Sequence, residues 1–433
     1  MVKYLLTIII LISSLSAVSA REIIEVYLDS VIGPVTYRGS GFLVSPFTSD
    51  TPADSLLAPL KPRFFRGRAS SVLNAYQRAQ DYGTIMEVVT HNYSQWDHTP
   101  IGEGGDWTAW ETYHKNLVKT VEAQTNGDVL YGIFTNASSP HSHWTEESHE
   151  HFLEAYRRAY FAIKETKPDA IVVGPNAQWG KFNWWWARHE GHYLWFVKQF
   201  IDYCIENDCL PDVLAWHDWT CDGHNMLKDA IEIRKYFTDK GMDPPLLEQD
   251  DFGCSKRQFR PGTFVSYLAN IERAKYAYAA KCCWDKDCFG GTLNGLLTKK
   301  TFQRRSLWWM YKAYADMTGE IVDVSSGLSV DAIASYDSTL AVIRVVAGRY
   351  EDVSGPVTFN LNNPDPSYTK ADVLGKRIIN SEDLSLDPPT NTIEFTKNIR
   401  NHEIVVELHD LEPWDAYEIV ITLTDKVAAR VDK

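Results

Sequence analysis

The chain has 433 residues, more than one ordinary small domain uses, and 44% of them are hydrophobic, which excludes a globally disordered protein. A formal net charge of −14 at pH 7 argues against nucleic acid or an anionic membrane as the main partner, since either would be repelled by such a surface. The 15 Trp, 22 Tyr and 18 Phe supply flat rings that suit the apolar faces of sugars, although for any single ring packing in a core is the commoner use.

Residues 1–20 read as a secretory signal: Lys3 is the positive end, 5–12 is a short apolar run, and Val18 and Ala20 are small residues spaced for cleavage after Ala20. No later stretch approaches the ~18 uninterrupted apolar residues of a membrane span, so an exported, extracellular protein without a membrane partner is expected. Residues 21–38 then hold a short β-prone segment, 22–28, that suits an extra strand of a C-terminal sheet.

Over residues 39–319 short apolar runs alternate with helical patterns. The runs are 41–44, 62–66, 85–90, 129–134, 171–174, 213–217, 246–251 and 279–284. The clearest helix begins near Thr145, where Phe152, Ala155, Tyr156, Ala159 and Ile163 fall on one face. It ends ahead of Pro168-Asp169. Eight strand–helix units in this span predict a closed (β/α)8 TIM barrel, an α/β fold. A doubly wound open sheet is the alternative, but no Gly-rich phosphate-binding fingerprint supports it.

From 320 to 433 the runs become short, β-branched and alternating, with Asn, Pro, Gly and Asp between them. This predicts a β-sandwich, read as structural support. Seven cysteines lie between Cys204 and Cys288; in an exported protein they are expected to pair with at least one odd thiol, Cys282 or Cys283 closing a short loop with Cys288. Their spacing does not repeat a CxxC pattern, so no metal is expected, and nothing indicates an organic cofactor. Sequons stand at Asn92 and Asn136.

In a TIM barrel the working residues lie at the carboxyl ends of the strands. Those ends supply Arg66; His91, followed by Trp96, Asp97 and His98; Phe134-Thr135-Asn136; an aromatic loop from Trp179 to Trp186; Trp216-His217-Asp218-Trp219; Glu248-Gln249-Asp250-Asp251-Phe252-Gly253; and Cys283-Trp284-Asp285. His91, Trp96, Thr135, Trp179, His217, Trp219 and Trp284 are the candidate sugar-binding residues. Each has a plainer reading too: His91 as a hydrogen-bonded core histidine, His217 as the holder of a neighbouring carboxylate, most of the tryptophans as packing.

Several of these stretches carry a resemblance: His143-Trp144 before the helix that follows strand four, Ala170-Ile-Val-Val-Gly-Pro175 after it, Trp216-His217-Asp218-Trp219, Pro261-Gly262-Thr263, and Leu307-Trp-Trp-Met-Tyr-Lys-Ala-Tyr-Ala-Asp316. Together they resemble the clan A glycoside hydrolases, nearest the family 39 β-xylosidase and α-iduronidase group, over essentially the whole mature chain. The resemblance implies an oligosaccharide or polysaccharide as partner and a pair of catalytic glutamates, one ending strand four as acid/base and one ending strand seven as nucleophile. Both positions depart from it. Asn136 stands at the acid/base place, where a carboxamide has no proton to give at neutral pH. On strand seven the Phe252-Gly253 anchor aligns Asp251 with the nucleophile, and a one-residue shift makes it Asp250. Retaining enzymes hold the two carboxyls about 5 to 5.5 Å apart. The expectation is therefore a glycoside-hydrolase-like protein with lost or altered catalysis and retained glycan binding. The alternatives are an active glycosidase using Asp251 or Asp250 with a relocated acid drawn from His141, His143, Glu146, Glu147, Asp97, His98, His217 or Asp218, and a non-catalytic secreted scaffold. Sugar, linkage and oligomeric state stay open.

Overall fold

A computed structural model of the chain describes residues 21–90, 101–134, 149–177, 194–285 and 288–426. The strands in chain order are β1 (Glu22–Pro34), β2 (Gly41–Leu43), β3 (Phe64–Arg68), β4 (Ile85–Val89), β5 (Leu130–Gly132), β6 (Val172–Ala177), β7 (Val213–Asp218), β8 (Leu246–Phe252), β9 (Tyr278–Lys281), β10 (Glu320–Val324), β11 (Val330–Asp337), β12 (Val342–Arg349), β13 (Val357–Asn362), β14 (Tyr368–Ile378), β15 (Asn391–Asn398), β16 (Glu403–Leu408) and β17 (Ala416–Lys426). The helices are α1 (Asp54–Leu57), α2 (Ala69–Asp81), α3 (Thr108–Glu122), α4 (His149–Thr166), α5 (Leu194–Glu206), α6 (His224–Asp239), α7 (Pro261–Arg273) and α8 (Ser306–Ala315).

β2 to β9 close into a barrel in which every neighbouring pair is parallel, with β9 returning to β2 through Phe42 and Lys281. The helical layer follows from the 3.6-residue period. On α4 the predicted stripe Phe152, Ala155, Tyr156, Ala159 and Ile163 is buried against the barrel. One connection is abbreviated. Between β2 and β3 the helical structure is only α1 and the 3₁₀ turn Ala58–Leu60, where Pro52, Pro59 and Pro62 crowd a short segment and prevent a longer helix. No helix among the described residues is long and apolar enough to cross a membrane.

The C-terminal β region is one nine-stranded sheet, ordered β15-β14-β17-β12-β11-β10-β1-β13-β16. It curls over itself. A single core joins Ala371 and Val373 near one edge to Val406 and Leu408 at the other, and the Lys397 ammonium on β15 donates to the Val405 carbonyl on β16 at 3.1 Å. The N-terminal strand is longer than its apolar run suggests. β1 pairs antiparallel with β10 and parallel with β13, with bulges near Val31 and Gly33.

The outer face of this sheet is applied to the barrel. Ile333, Val346, Ile378 and Ala416 belong to the barrel's core cluster rather than to the sheet's own. α7 lies directly on β12, and a Cβ on Gly262 would stand 2.1 Å from the Arg349 carbonyl oxygen, so only glycine permits the approach. Trp414 sits between the Arg257 and Arg260 guanidiniums at 4.5 and 4.3 Å, and Arg273 clasps both oxygens of buried Asp331 at 2.8 and 3.1 Å.

Candidate active site

The carboxyl ends of β3, β4, β7, β8 and β9 bring an unusual set of charges into the barrel. Arg66 on β3 is nearly fully buried. Its Nη2 lies 3.1 Å from Asp250 Oδ2 and its Nε 3.4 Å from Glu87 Oε1. His217 Nε2 reaches the same Asp250 oxygen at 3.2 Å, and His217 Nδ1 is 4.0 Å from Asp251 Oδ2. Asp250 and His217 are fully enclosed, whereas the Asp251 side chain keeps 13% of its surface open. Asp251 is thus the acid of this group that a solute can meet, and Asp250 is the one held by Arg66 and His217.

A local irregularity lets two consecutive aspartates reach the same histidine. Along a regular strand neighbouring side chains point to opposite faces. Between β7 and β8 the register runs Trp216 with Gln249 and then His217 with Asp251, so Asp250 is an extra residue. Before the bulge the alternation is ordinary: Glu248 faces the barrel interior, and Gln249 turns outward to donate to the Tyr276 hydroxyl at 2.9 Å.

Electrostatics follow from burial. It pushes the Asp251 carboxyl up and the adjacent Asp250 adds to this, while His217, Arg66 and the Trp219 indole oppose it. Burial also raises Glu87 and Glu248. It works against the Arg66 cation, but Asp250, Glu87, Glu248 and Asp251 outweigh it and hold the guanidinium charged. Lys281 ends β9 beside these groups. It donates to the carbonyls of Cys282 and Asn294 at 2.9 and 2.8 Å, and burial brings it down to about 7. Asp218 is pushed up to about 7 by burial, against the pull of Thr220, whose N–H and hydroxyl donate to Oδ1 at 2.8 and 2.6 Å.

Aromatic rings cover the open side. Trp219 lies 5.0 Å from the His217 ring and meets Trp284 edge-on at 4.6 Å and 83°. Trp284 is held by its indole N–H to the Gly253 carbonyl at 3.1 Å and by its backbone N–H to Gln258 at 2.8 Å, yet 43% of it stays exposed. Disulfide Cys221–Cys254 joins the loops that follow β7 and β8, and Cys283–Cys288 closes a turn within the loop after β9. The mouth therefore has one covalently braced side that carries Asp251, Trp219 and Trp284.

The fold has counterparts among solved structures. A protein designated N2152 from Neocallimastix frontalis superimposes with a TM-score of 0.78 at 20% identity, over 94% of this chain and 100% of that one. A monomeric β-xylosidase from Caulobacter crescentus gives 0.64 at 14% identity, over 93% and 100%. The GH39 enzyme from Xanthomonas axonopodis pv. citri gives 0.63 at 12%, over 94% and 98%. The chain has the fold of the clan A glycoside hydrolases. Its structural neighbours are GH39 β-xylosidases and other members of that clan. No protein-family model matches the sequence, nor does any curated protein sequence.

Within this glycoside-hydrolase barrel the sequence-derived candidates divide into two groups. Asp250, Asp251, His217, Trp219 and Trp284 come together at the ends of β7, β8 and β9. His91, Trp96, Thr135, Asn136 and Trp179 lie outside the described residues. The approach to position 135 is described, and it is strained. Phe134 has φ +72°, and Asn176 of β6, itself at φ +57°, donates its amide to the carbonyls of Ile133 and Phe134. Glu87 and Lys281 were not among the candidates. Both interrupt short apolar strands at enclosed positions, the signal by which they could be found. Of the two short-loop pairings left open for Cys288, the bond is to Cys283, and the free thiols are three, Cys204, Cys209 and Cys282, all of them buried.

Gly132 on β5 makes room for this cluster. A Cβ there would stand 1.9 Å from Glu87 Oε1. Gly132→Ala is expected to destabilise the fold by about 1–3 kcal/mol through overpacking. Urea unfolding reads this. The loss should shrink in the Glu87→Ala background, and an equal loss in both backgrounds would show that Glu87 is not what the methyl meets.

Proposed function

We propose that this is an exported carbohydrate-binding protein on a glycoside-hydrolase barrel, with hydrolysis lost or strongly reduced. The observation that carries this reading is the partly open acid Asp251, grouped with His217, Trp219 and the exposed Trp284 at the braced side of the mouth. A carboxylate accepts hydrogen bonds from sugar hydroxyls, and indole faces receive the C–H face of a pyranose. Hydrolysis of an ordinary glycoside also needs a proton delivered to the leaving oxygen, and Asn136 supplies none. The N-terminal signal, with cleavage after Ala20, supports export. Two of its structural neighbours are a β-xylosidase and a bifunctional glucanase-xylanase, which makes plant-type β-glycans the first ligands to try.

Isothermal titration against xylo-, gluco- and mixed β-oligosaccharides tests the proposal. Binding by the wild type is expected to weaken by about 0.5–1.5 kcal/mol in Trp284→Ala, roughly 3- to 10-fold in Kd. No heat with any glycan would leave only a scaffold role.

A second reading, an active glycosidase using Asp251 or Asp250, draws on the retained contact of Asp251 with His217. It predicts turnover of aryl glycosides whose leaving group needs no proton. Equal residual rates in wild type, Asp251→Ala and Asp250→Ala would exclude strand-seven nucleophilic catalysis.

A further inference from the structure

We propose that Glu87 and Glu248 share one proton inside the barrel and act as a positioning pair, fixing Arg66 on Asp250 so that Asp251 is the acid left for a ligand. The part concerning a ligand rests on the function proposed above; the shared proton does not.

The case begins with a count of charges in one enclosed space. Glu87, Glu248, Asp250 and Asp251 are four carboxyl groups around Arg66, the one side chain among them that is always a cation. The guanidinium spends its fork on Asp250 and Glu87. His217 serves the two aspartates, and Lys281 is occupied by backbone carbonyls. Glu248 makes no ion pair among the described residues, and Arg66 acts on it more weakly than Glu87 and Asp250 do. Its two oxygens are fully buried and meet no donor among the described residues, and the polar group against it is the Glu87 carboxyl. Two carboxylates in contact away from water cannot both ionise, whereas a carboxylic acid and a carboxylate bind one another through a proton.

The surroundings say which oxygen keeps it. Burial and Asp250 push both glutamates up and Arg66 opposes this on both, but Arg66 stands 3.4 Å from Glu87 and acts on it second only to burial, whereas on Glu248 it comes last, behind Glu87 and Asp250. The other titratable groups facing the pair are Tyr278 on β9, whose hydroxyl is itself pushed up by burial and by both glutamates, and Asp251 above. Negative charge therefore rests on Glu87, beneath Arg66, and Glu248 holds the proton. Gly132, with no Cβ to exclude Glu87, keeps the anion under the guanidinium.

The first test needs no ligand. Infrared difference spectra of the full chain at pH 7 are expected to show the carbonyl stretch of a neutral carboxylic acid. It should shrink in Glu248→Gln, and the Glu248 component should remain in Asp218→Asn, which removes the contribution of the acid that burial raises to about 7. No such band in the wild type, or one unchanged in Glu248→Gln, overturns the proposal. The second reading is stability against pH. A carboxyl raised by folding contributes stability fully present below its unfolded value of about 4.3 and lost as pH rises toward its folded value. The wild type should lose stability over that range more steeply than Glu248→Gln; parallel curves overturn proton sharing. For the positioning role, Glu248→Gln should bind glycan with unchanged Kd at pH 6 and carry its alkaline loss of binding at least one pH unit higher. An unshifted profile would leave the pair merely structural, and the infrared band would still decide the proton.

Discussion

Restoring a carboxylic acid at position 136, as Asn136→Glu, is expected to raise kcat/KM toward glycosides with poor leaving groups by about 10²- to 10⁴-fold. The reasoning is chemical. Departure of an alkoxide costs far more than departure of an alcohol, so a donated proton matters most where the leaving group is least acidic. Aryl glycosides with acidic phenols should gain little, and that contrast separates proton donation from a general improvement in binding. The strand-seven acid limits the ceiling, because an aspartate holds its oxygens roughly one bond length, ~1.5 Å, further back than a glutamate. Pairing Asn136→Glu with Asp251→Glu should therefore exceed the single change. A folded Asn136→Glu variant that binds glycan as the wild type does and gains no rate on either substrate class would show that residue 136 does not face the leaving oxygen.

Removing the central cation has the largest expected effect on stability. Arg66→Ala takes the partner from two enclosed carboxylates, Glu87 and Asp250, and breaking buried pairs of this kind costs about 3–5 kcal/mol. The cost should depend on pH in a definite sense. Above the carboxylate range the orphaned anions carry the full penalty. As pH falls through the raised value of Glu87 that acid becomes neutral, and the deficit relative to wild type narrows. Urea unfolding at several pH values reads this directly. A deficit below 1 kcal/mol, or one independent of pH, would mean that Arg66 contributes by packing alone.

The sequence made the barrel legible because its strands are buried runs between one-sided helices, and the run 246–251 with its Phe252-Gly253 anchor led to the two aspartates. It did not separate them. A bulge adds one residue without altering any composition signal, so the division of labour between enclosed Asp250 and partly open Asp251 emerges only from the pairing of His217 with Asp251. Glu87 shows a second limit. A glutamate inside Ile85-Met-Glu-Val-Val89 signals an enclosed charge, but its partners lie on β3 and β8, and nothing local names them. The short α1 is a third: the stretch from Ser45 to Pro62 is long enough for a helix, and its prolines forbid one.

The interlocking of the chain's two ends carries a consequence for how the protein is made. Glu25 on β1 donates its backbone N–H to the Ser325 hydroxyl, 300 residues further along, and β13 lies further still. A ribosome thus releases the first strand long before either of its neighbours exists. Throughout translation of the barrel the segment Glu22–Pro34 presents two open hydrogen-bonding edges and the side chains of Ile24, Val26 and Leu28 to whatever is nearby. Maturation has to end where the polypeptide began, with the head of the chain captured by its tail, so nascent forms truncated before β13 should be the ones that recruit chaperones or aggregate.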